Sequence, residues 1–371
     1  MSVRAVPPFR ADHVGSLLRP RELREARRRH ASGQITDVEL HLVEDEAIRQ
    51  VVRQQADIGL ASATDGEFRR SSWHMDFIYQ LGGVTPSDEQ MHVRFQNDDG
   101  GIEFSPSATA ITDRIALEQT IFADDFRFLA GETNATAKLT IPSPSMVHYR
   151  GGSAQIDRSV YPNNEEFWTD LSAAYAAQIR NMAQLGCRYL QLDDTSLAYL
   201  NDPRQRAMMS ERGEDGEHQH ERYIRQLNAA LAGRPEGMWV TTHMCRGNFQ
   251  SSWVAEGSYE FVAEVLFNEL DVDGFFMEFD DERSGGFEPL RFVPEGKQVV
   301  LGLVTTKHGE LEAKDELKRR VEQASKFVPL EQLCLSPQCG FSSTEEGNNL
   351  TEAQQWAKLA RIVETAEEIW G

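Results

Sequence analysis

The chain reads as an α/β protein, a (β/α)8 TIM barrel with a β-hairpin inserted after the second strand. Three observations predict this. Eight short apolar runs recur along 371 residues. Loops and helical patterns alternate with them, and alternation of strand and helix implies parallel strands. Metal-ligand and carboxylate side chains fall at the ends of several runs, where barrel enzymes carry their active sites.

The runs are 10–15, 60–66, 137–141, 188–193, 238–243, 274–279, 298–304 and 332–336. Helical stretches lie between them, notably 37–59, 164–186 and 314–327. The first two end on Gly59 and Gly186, residues suited to the position past a last helical turn. A doubly wound open sheet is the alternative arrangement of the same units. Residues 85–108 fall outside the eight-fold pattern. There, two short β runs flank Asn97-Asp98-Asp99-Gly100 and predict the hairpin. Segment 208–220 reads as a charged loop or helix extension after the fourth strand, and 280–296 as a further Gly/Pro-rich loop. His218 and His220 in the first of these read as a solvated polar pair, because no apolar strand fixes them. With no internal repeat and no low-complexity linker, residues 1–371 form a single domain.

Composition narrows the function. The chain is 40% hydrophobic, 26% charged and carries a formal charge of −21. Such a surface repels nucleic acid and anionic membranes. No apolar run of about 18 residues suggests a membrane span, and the start has no apolar signal-peptide core. Four cysteines are too few for a disulfide scaffold and fit a reducing compartment, so a cytoplasmic location is expected.

The chemistry centres on Thr241-Thr242-His243-Met244-Cys245-Arg246-Gly247. Alternation along an extended chain points His243 and Cys245 the same way. An imidazole and a thiol converging in this manner suit Zn²⁺. Alone, the pair reads equally as a buried histidine beside a small apolar cysteine. Glu278, however, interrupts the apolar run 274–279, and a carboxylate there is costly unless paired or metal-bound. Cys339 follows the run 332–336, just after Pro337. His243, Cys245, Glu278 and Cys339 thus make a four-ligand set. Four protein ligands usually close a structural zinc site, so catalysis requires a substrate thiol to displace or join a ligand.

These residues carry a resemblance. His243-Met244-Cys245, then Glu278, then Ser336-Pro337-Gln338-Cys339-Gly340 resembles the catalytic barrel of cobalamin-independent methionine synthase. Val14-Gly15-Ser16, Asp65-Gly66-Glu67 and Gln191-Leu192-Asp193-Asp194 resemble three further segments of that family in the same order. The similarity runs over roughly residues 10 to 370. It implies one zinc held by His243, Cys245, Glu278 and Cys339. It also implies that Glu67 and Asp193 bind the ammonium of an amino-acid thiol such as homocysteine, with Ser16 at its carboxylate.

The family's methyl donor is a reduced folate, and a general acid protonates its departing nitrogen. On that side the chain departs from the pattern. Lys307 occupies the position of the family's relay histidine, with His308 one residue later. The family's stacking Trp is not evident, and His148 or Tyr149 stands in its region as the donor-binding candidate. The family's second, amino-terminal barrel is also missing. The resemblance implies a zinc-dependent methyltransferase that uses homocysteine and a methyl donor: a folate, a methyl-cobalamin protein or another small methyl compound. Two alternatives remain. One is an enzyme similar to epoxyalkane:coenzyme M transferase, for which Arg69, Arg70 and Arg246 would serve a sulfonate thiol. The other is a non-catalytic zinc or homocysteine-binding relative. A lone catalytic barrel can associate, so a homodimer is a further expectation.

Overall fold

The structure, a computed structural model, describes residues 4–90, 93–97, 100–104 and 107–371. Its strands in chain order are β1 (Ser62–Ala63), β2 (Gly82–Gln90), β3 (Val93–Phe95), β4 (Ile102–Phe104), β5 (Ser107–Ala116) and β6 (Thr136–Pro142). They continue as β7 (Tyr189–Asp194), β8 (Trp239–Met244), β9 (Gly274–Glu278), β10 (Gln298–Val304) and β11 (Leu333–Pro337). One seven-stranded sheet runs β1-β6-β7-β8-β9-β10-β11. Every neighbouring pair in it is parallel.

The expected strand at 10–15 supplies only a bridge, Ala11 to Leu335. Asp12 accounts for its brevity. Its carboxylate accepts from the backbone N–H of Phe9 and of His13, local bonds that compete with a ladder. The segment nonetheless joins the two ends of the sheet. Asp12 N–H donates to Leu335 O, while Ser62 Oγ donates to Asp12 and Thr64 Oγ1 donates to Gly15 O. The sheet therefore curls into a TIM-barrel-like fold. β1 is shorter than the run 60–66 for a similar reason: the Gln55 side chain captures the N–H of Thr64.

The six strands β6 to β11 fall within about a residue or two of the apolar runs. β7, β9, β10 and β11 are buried along their whole length, as expected where helices cover a parallel sheet. Helices Asp37–Asp57, Asn164–Gln184 and Lys314–Ala324 pack outside. Thr36 opens the first with a capping box, and Asn163 caps the second. Gly59 and Gly186 take φ of +88° and +96° just beyond the helix ends. Among the described residues, no helix is long and apolar enough to cross a membrane.

The insert is larger than one hairpin. β2 and β5 pair antiparallel and enclose β3 and β4, which pair antiparallel with Phe95 opposite Ile102. Residues 98 and 99 of the expected turn, and Met91 and His92 before it, lie outside the described residues. Gln96 and Trp253 exchange two backbone hydrogen bonds. That exchange lays the insert against the loop that follows β8, over the carboxyl ends of the strands.

Candidate active site

The four expected ligands converge. One ligand atom from each of His243, Cys245, Glu278 and Cys339 lies within 4.8 Å of the others, and all four residues are buried. His243 sits near the end of β8 and Glu278 ends β9, while Cys245 and Cys339 stand just past β8 and β11. Cys245 Sγ and Cys339 Sγ are 3.4 Å apart as free cysteines.

Backbone bonds hold this geometry. Cys245 N–H donates to Asp194 O, Arg246 N–H donates to Glu278 Oε1 at 2.7 Å, and Gly247 N–H donates to Cys245 Sγ. Tyr259 links the two strands, receiving the N–H of Glu278 and donating to Met244 O. The set fits a zinc ion. Ligand atoms about 2.0–2.3 Å from one ion sit about 3–4 Å from each other. Both ring nitrogens of His243 are buried without a hydrogen-bond partner, so either is free to coordinate. The Cys339 thiol is held well below its usual range, first by a hydrogen bond from Cys245 and then by His243. The Cys245 thiol is pushed up, first by that same bond and then by burial.

Beside the cluster lies a narrow pocket lined by Ser16, Glu67, Asp193, His243, Cys245 and Cys339 among others. The chain thus brings the three expected thiol-binding residues to the four ligands. Glu67 takes a left-handed φ of 61°, a strained conformation for a residue with a Cβ. Its N–H donates to Asp65, and its Oε1 accepts from Thr140 at 2.7 Å. Arg70 lies 3.7 Å away. Glu67 Oε2 has no partner. Asp193 accepts from Gln191 at 2.6 Å, and burial pushes its carboxyl up to about 7. Burial also raises Glu67. Two buried acids side by side are what a bound cation would relieve. Ser16 lies against Gly340, where a Cβ would meet Ser16 Oγ at 1.9 Å; only glycine permits that approach.

The remaining expected residues are placed differently. Lys307 is buried, with Nζ 3.9 Å from Glu278 and 4.0 Å from Asp280. His308 is exposed. Tyr149 lines a large cavity of about 860 Å³ next to the pocket. His148 instead packs among Phe167, Trp168 and Tyr223, with Nδ1 3.0 Å from the Tyr223 hydroxyl. The arginines that favoured a sulfonate thiol are engaged: Arg69 with Glu44, Asp45 and Asp125, Arg70 with Glu67, and Arg246 over the Tyr259 ring. Sequence reasoning missed Trp73, His74, Arg150 and Tyr199, all of which line the pocket. A signal existed for the first two, an aromatic pair in the loop that carries Glu67.

Residues 129–368 match the family model described as the cobalamin-independent synthase, catalytic domain. The chain belongs to that family. As a cobalamin-independent synthase relative it is 46% identical over 372 residues to the uncharacterised protein YxjG of Bacillus subtilis, spanning 99% of this chain and 96% of that one. A crystal structure from Listeria monocytogenes, provisionally described as a vitamin-B12 independent methionine synthase, is 39% identical. It superposes with a TM-score of 0.78 over 99% of both chains. A methionine synthase of Saccharolobus solfataricus is 22% identical over 95% of this chain and 92% of its own. Relatives of this length therefore include proteins named methionine synthase.

Proposed function

We propose that this synthase-family protein is a zinc-dependent methyltransferase that moves a methyl group from a small donor to the thiol of homocysteine, giving methionine. One observation carries the reading: the His243, Cys245, Glu278 and Cys339 ligand atoms converge beside the Glu67–Asp193 carboxylate pair in one pocket. The family membership supports a methyltransferase.

Zinc, when bound, would favour the thiolate form of a substrate thiol at neutral pH. The chain's own residues do the rest. Glu67 and Asp193 bind the substrate ammonium, which supplies the positive charge that their buried carboxylates lack. The Val14-Gly15-Ser16 turn receives the substrate carboxylate. Phe95, Phe104 and Phe249 line the pocket and limit water around the sulfur. In the transfer an S–C bond forms, the donor's bond to its methyl breaks, and the departing group takes a proton. We assign that proton to Lys307, which stands at the position of the family's relay histidine with Nζ buried 3.9 Å from Glu278, rather than to the exposed His308. Tyr149 serves the donor side, since it lines the neighbouring cavity.

The test is metal content and thiol binding on one sample. The purified protein should carry about one zinc per chain. After Co²⁺ replacement, a thiolate-to-metal charge-transfer band should grow with homocysteine, stay silent with coenzyme M and vanish in Cys339→Ala. A band raised by coenzyme M alone would transfer the assignment to epoxide-opening chemistry. A metal site indifferent to every thiol would defeat both.

A further inference from the structure

The sheet's two edges, β1 and β11, meet across the segment 10–15, which supplies only one bridge. Few ladder bonds cross this seam, yet Ser16, Glu67 and Cys339 line the thiol pocket at its carboxyl end. Two backbone bonds join the loops there: Leu17 N–H donates to Gly66 O at 3.1 Å, and Phe341 N–H donates to Ser16 O at 3.0 Å. A single side chain ties all three loops. Arg19, 3% exposed, donates from Nη1 to Leu17 O and Ser342 O. From Nη2 it donates to Glu67 O at 2.8 Å and Arg70 O at 3.1 Å. Each terminal nitrogen carries two hydrogens, so all four find a different backbone carbonyl. A guanidinium can do this because it is a planar fork; a lysine ammonium is a single point with three donors.

Glu67 is the residue most in need of that hold. Gly66 and Glu67 take left-handed φ of 67° and 61° in succession. Glycine adopts this freely, but a residue with a Cβ does so only where its surroundings impose it. The Glu67 N–H is fixed by Asp65 at 2.8 Å. Its carbonyl accepts from Arg70 N–H at 3.0 Å and from Arg19. Return of Glu67 to an extended or right-handed backbone would swing its Cβ and carry its carboxylate away from Asp193. Arg19 does not itself line the pocket, so it reaches a ligand only through the groups it holds. Burial pulls Arg19 down to about 10, and the Glu67 charge opposes that pull, which leaves the fork cationic at neutral pH.

We propose that Arg19 is a positioning residue: its guanidinium fork holds the Glu67 backbone in the left-handed conformation that aims the carboxylate at the ammonium of an amino-acid thiol. It thereby sets the preference for thiols that carry an amino group. The preference rests on the reading of Glu67 given above; the hold on the Glu67 backbone does not.

The experiment uses the full chain, cobalt-substituted, and two variants. Arg19→Lys keeps the charge and loses the fork; Arg19→Gln loses both. Three thiols are titrated against the cobalt band: homocysteine, 3-aminopropane-1-thiol, which lacks its carboxylate, and 4-mercaptobutanoate, which lacks its amino group. In each variant the two amino thiols should weaken about 10-fold, as for a charged hydrogen bond misaligned rather than removed. 4-Mercaptobutanoate and metal content should not change. In a Glu67→Gln background, Arg19→Lys should cost at most about 2-fold more, because the two substitutions then act on one interaction. Equal losses for all three thiols, or loss of metal, would make Arg19 a general structural tie and overturn the proposal. Normal homocysteine binding in Arg19→Lys would assign its effect to charge and overturn it too. Amide hydrogen exchange of the metal-loaded protein without thiol supplies an independent readout. Peptides spanning 64–72 should exchange about 10-fold faster in Arg19→Lys, and those spanning β7 should not. If homocysteine raises no band even in wild type, the ammonium reading of Glu67 fails. Faster exchange at 64–72 would then still sustain the hold on Glu67, and unchanged exchange would overturn it.

Discussion

Cys245 Sγ and Cys339 Sγ lie 3.4 Å apart although 94 residues separate them. They follow β8 and β11, which stand three places apart in the sheet. In a flat sheet that separation would be about 14 Å, at about 4.8 Å per strand. The curl of the sheet, joined across its ends by Ala11 and Leu335, and the turn after Pro337 remove the difference. The candidate metal site is thus a consequence of barrel closure rather than of any local motif.

It follows that metal retention depends on all four positions together. Cys339→Ala and His243→Ala should each reduce zinc from about one per chain to a small fraction after dialysis against a weak chelator. Conversion of exposed His308 to Ala should leave zinc unchanged. Metal analysis on the folded variants checks this, and full zinc occupancy in Cys339→Ala would remove that cysteine from the ligand set.

The carboxylate pair makes a separable prediction. Asp193→Asn and Glu67→Gln remove charge from the pocket without touching the ligands. A hydrogen bond to a charged group contributes about 1.5–3 kcal/mol, so homocysteine affinity should fall about 10- to 100-fold in each. Zinc content should be unaltered. A thiol without an amino group, such as 3-mercaptopropionate, should bind wild type and Asp193→Asn alike. Titration of the cobalt band gives each affinity, and unchanged homocysteine binding in both variants would reassign the pair.

Much of this site is legible in the amino-acid sequence. His243, Glu278 and Cys339 stand out because a ligand or a charge inside or just past an apolar run has few inexpensive structural roles. β6 to β11 are legible because strands buried on both faces read as continuous apolar runs. Residues 10–15 are not, because Asp12 diverts the backbone bonds of its own neighbours. The donor side is hidden for a different reason. His148 and Tyr149 are adjacent on the short helix Ser145–Tyr149, and about 100° of rotation per residue turns one inward and the other to the cavity. His74, Arg150 and Tyr199 come from three segments outside the strands, so no period in the sequence brings them together.

Beneath the site, Lys138 and Asp12 form an ion pair at 3.3 Å with both side chains fully buried. Lys138 also donates to His13 O at 2.5 Å, and Tyr189 donates to Asp12 at 2.8 Å. Removing one charge strands the other, at about 3–5 kcal/mol. Lys138→Met should therefore lower stability by that amount. Adding Asp12→Asn should recover part of it, because the second charge then disappears. Urea unfolding of the single and double variants checks the coupling; additive losses would show that the two charges do not depend on each other.

Two buried histidines weaken the fold in acid, against the buried carboxyls of the site, whose raised values act the other way. Burial, reinforced by Lys138, lowers His13 from 6.5 to about 4, and burial lowers His148 to about 4 as well. Each is neutral in the fold and must take up a proton on unfolding at mildly acidic pH. The stability tied to each is therefore fully present above pH 6.5 and is lost as pH falls through about 4. For His13 the full span corresponds to about 3 kcal/mol, at about 1.4 kcal/mol per pH unit. His13→Gln removes the titrating ring and keeps a polar side chain beside Gln55. The variant should lose less stability than wild type between pH 6.5 and 4, whatever its stability at pH 7. Parallel pH profiles of the urea midpoint for the two proteins would show that His13 does not contribute to the acid response.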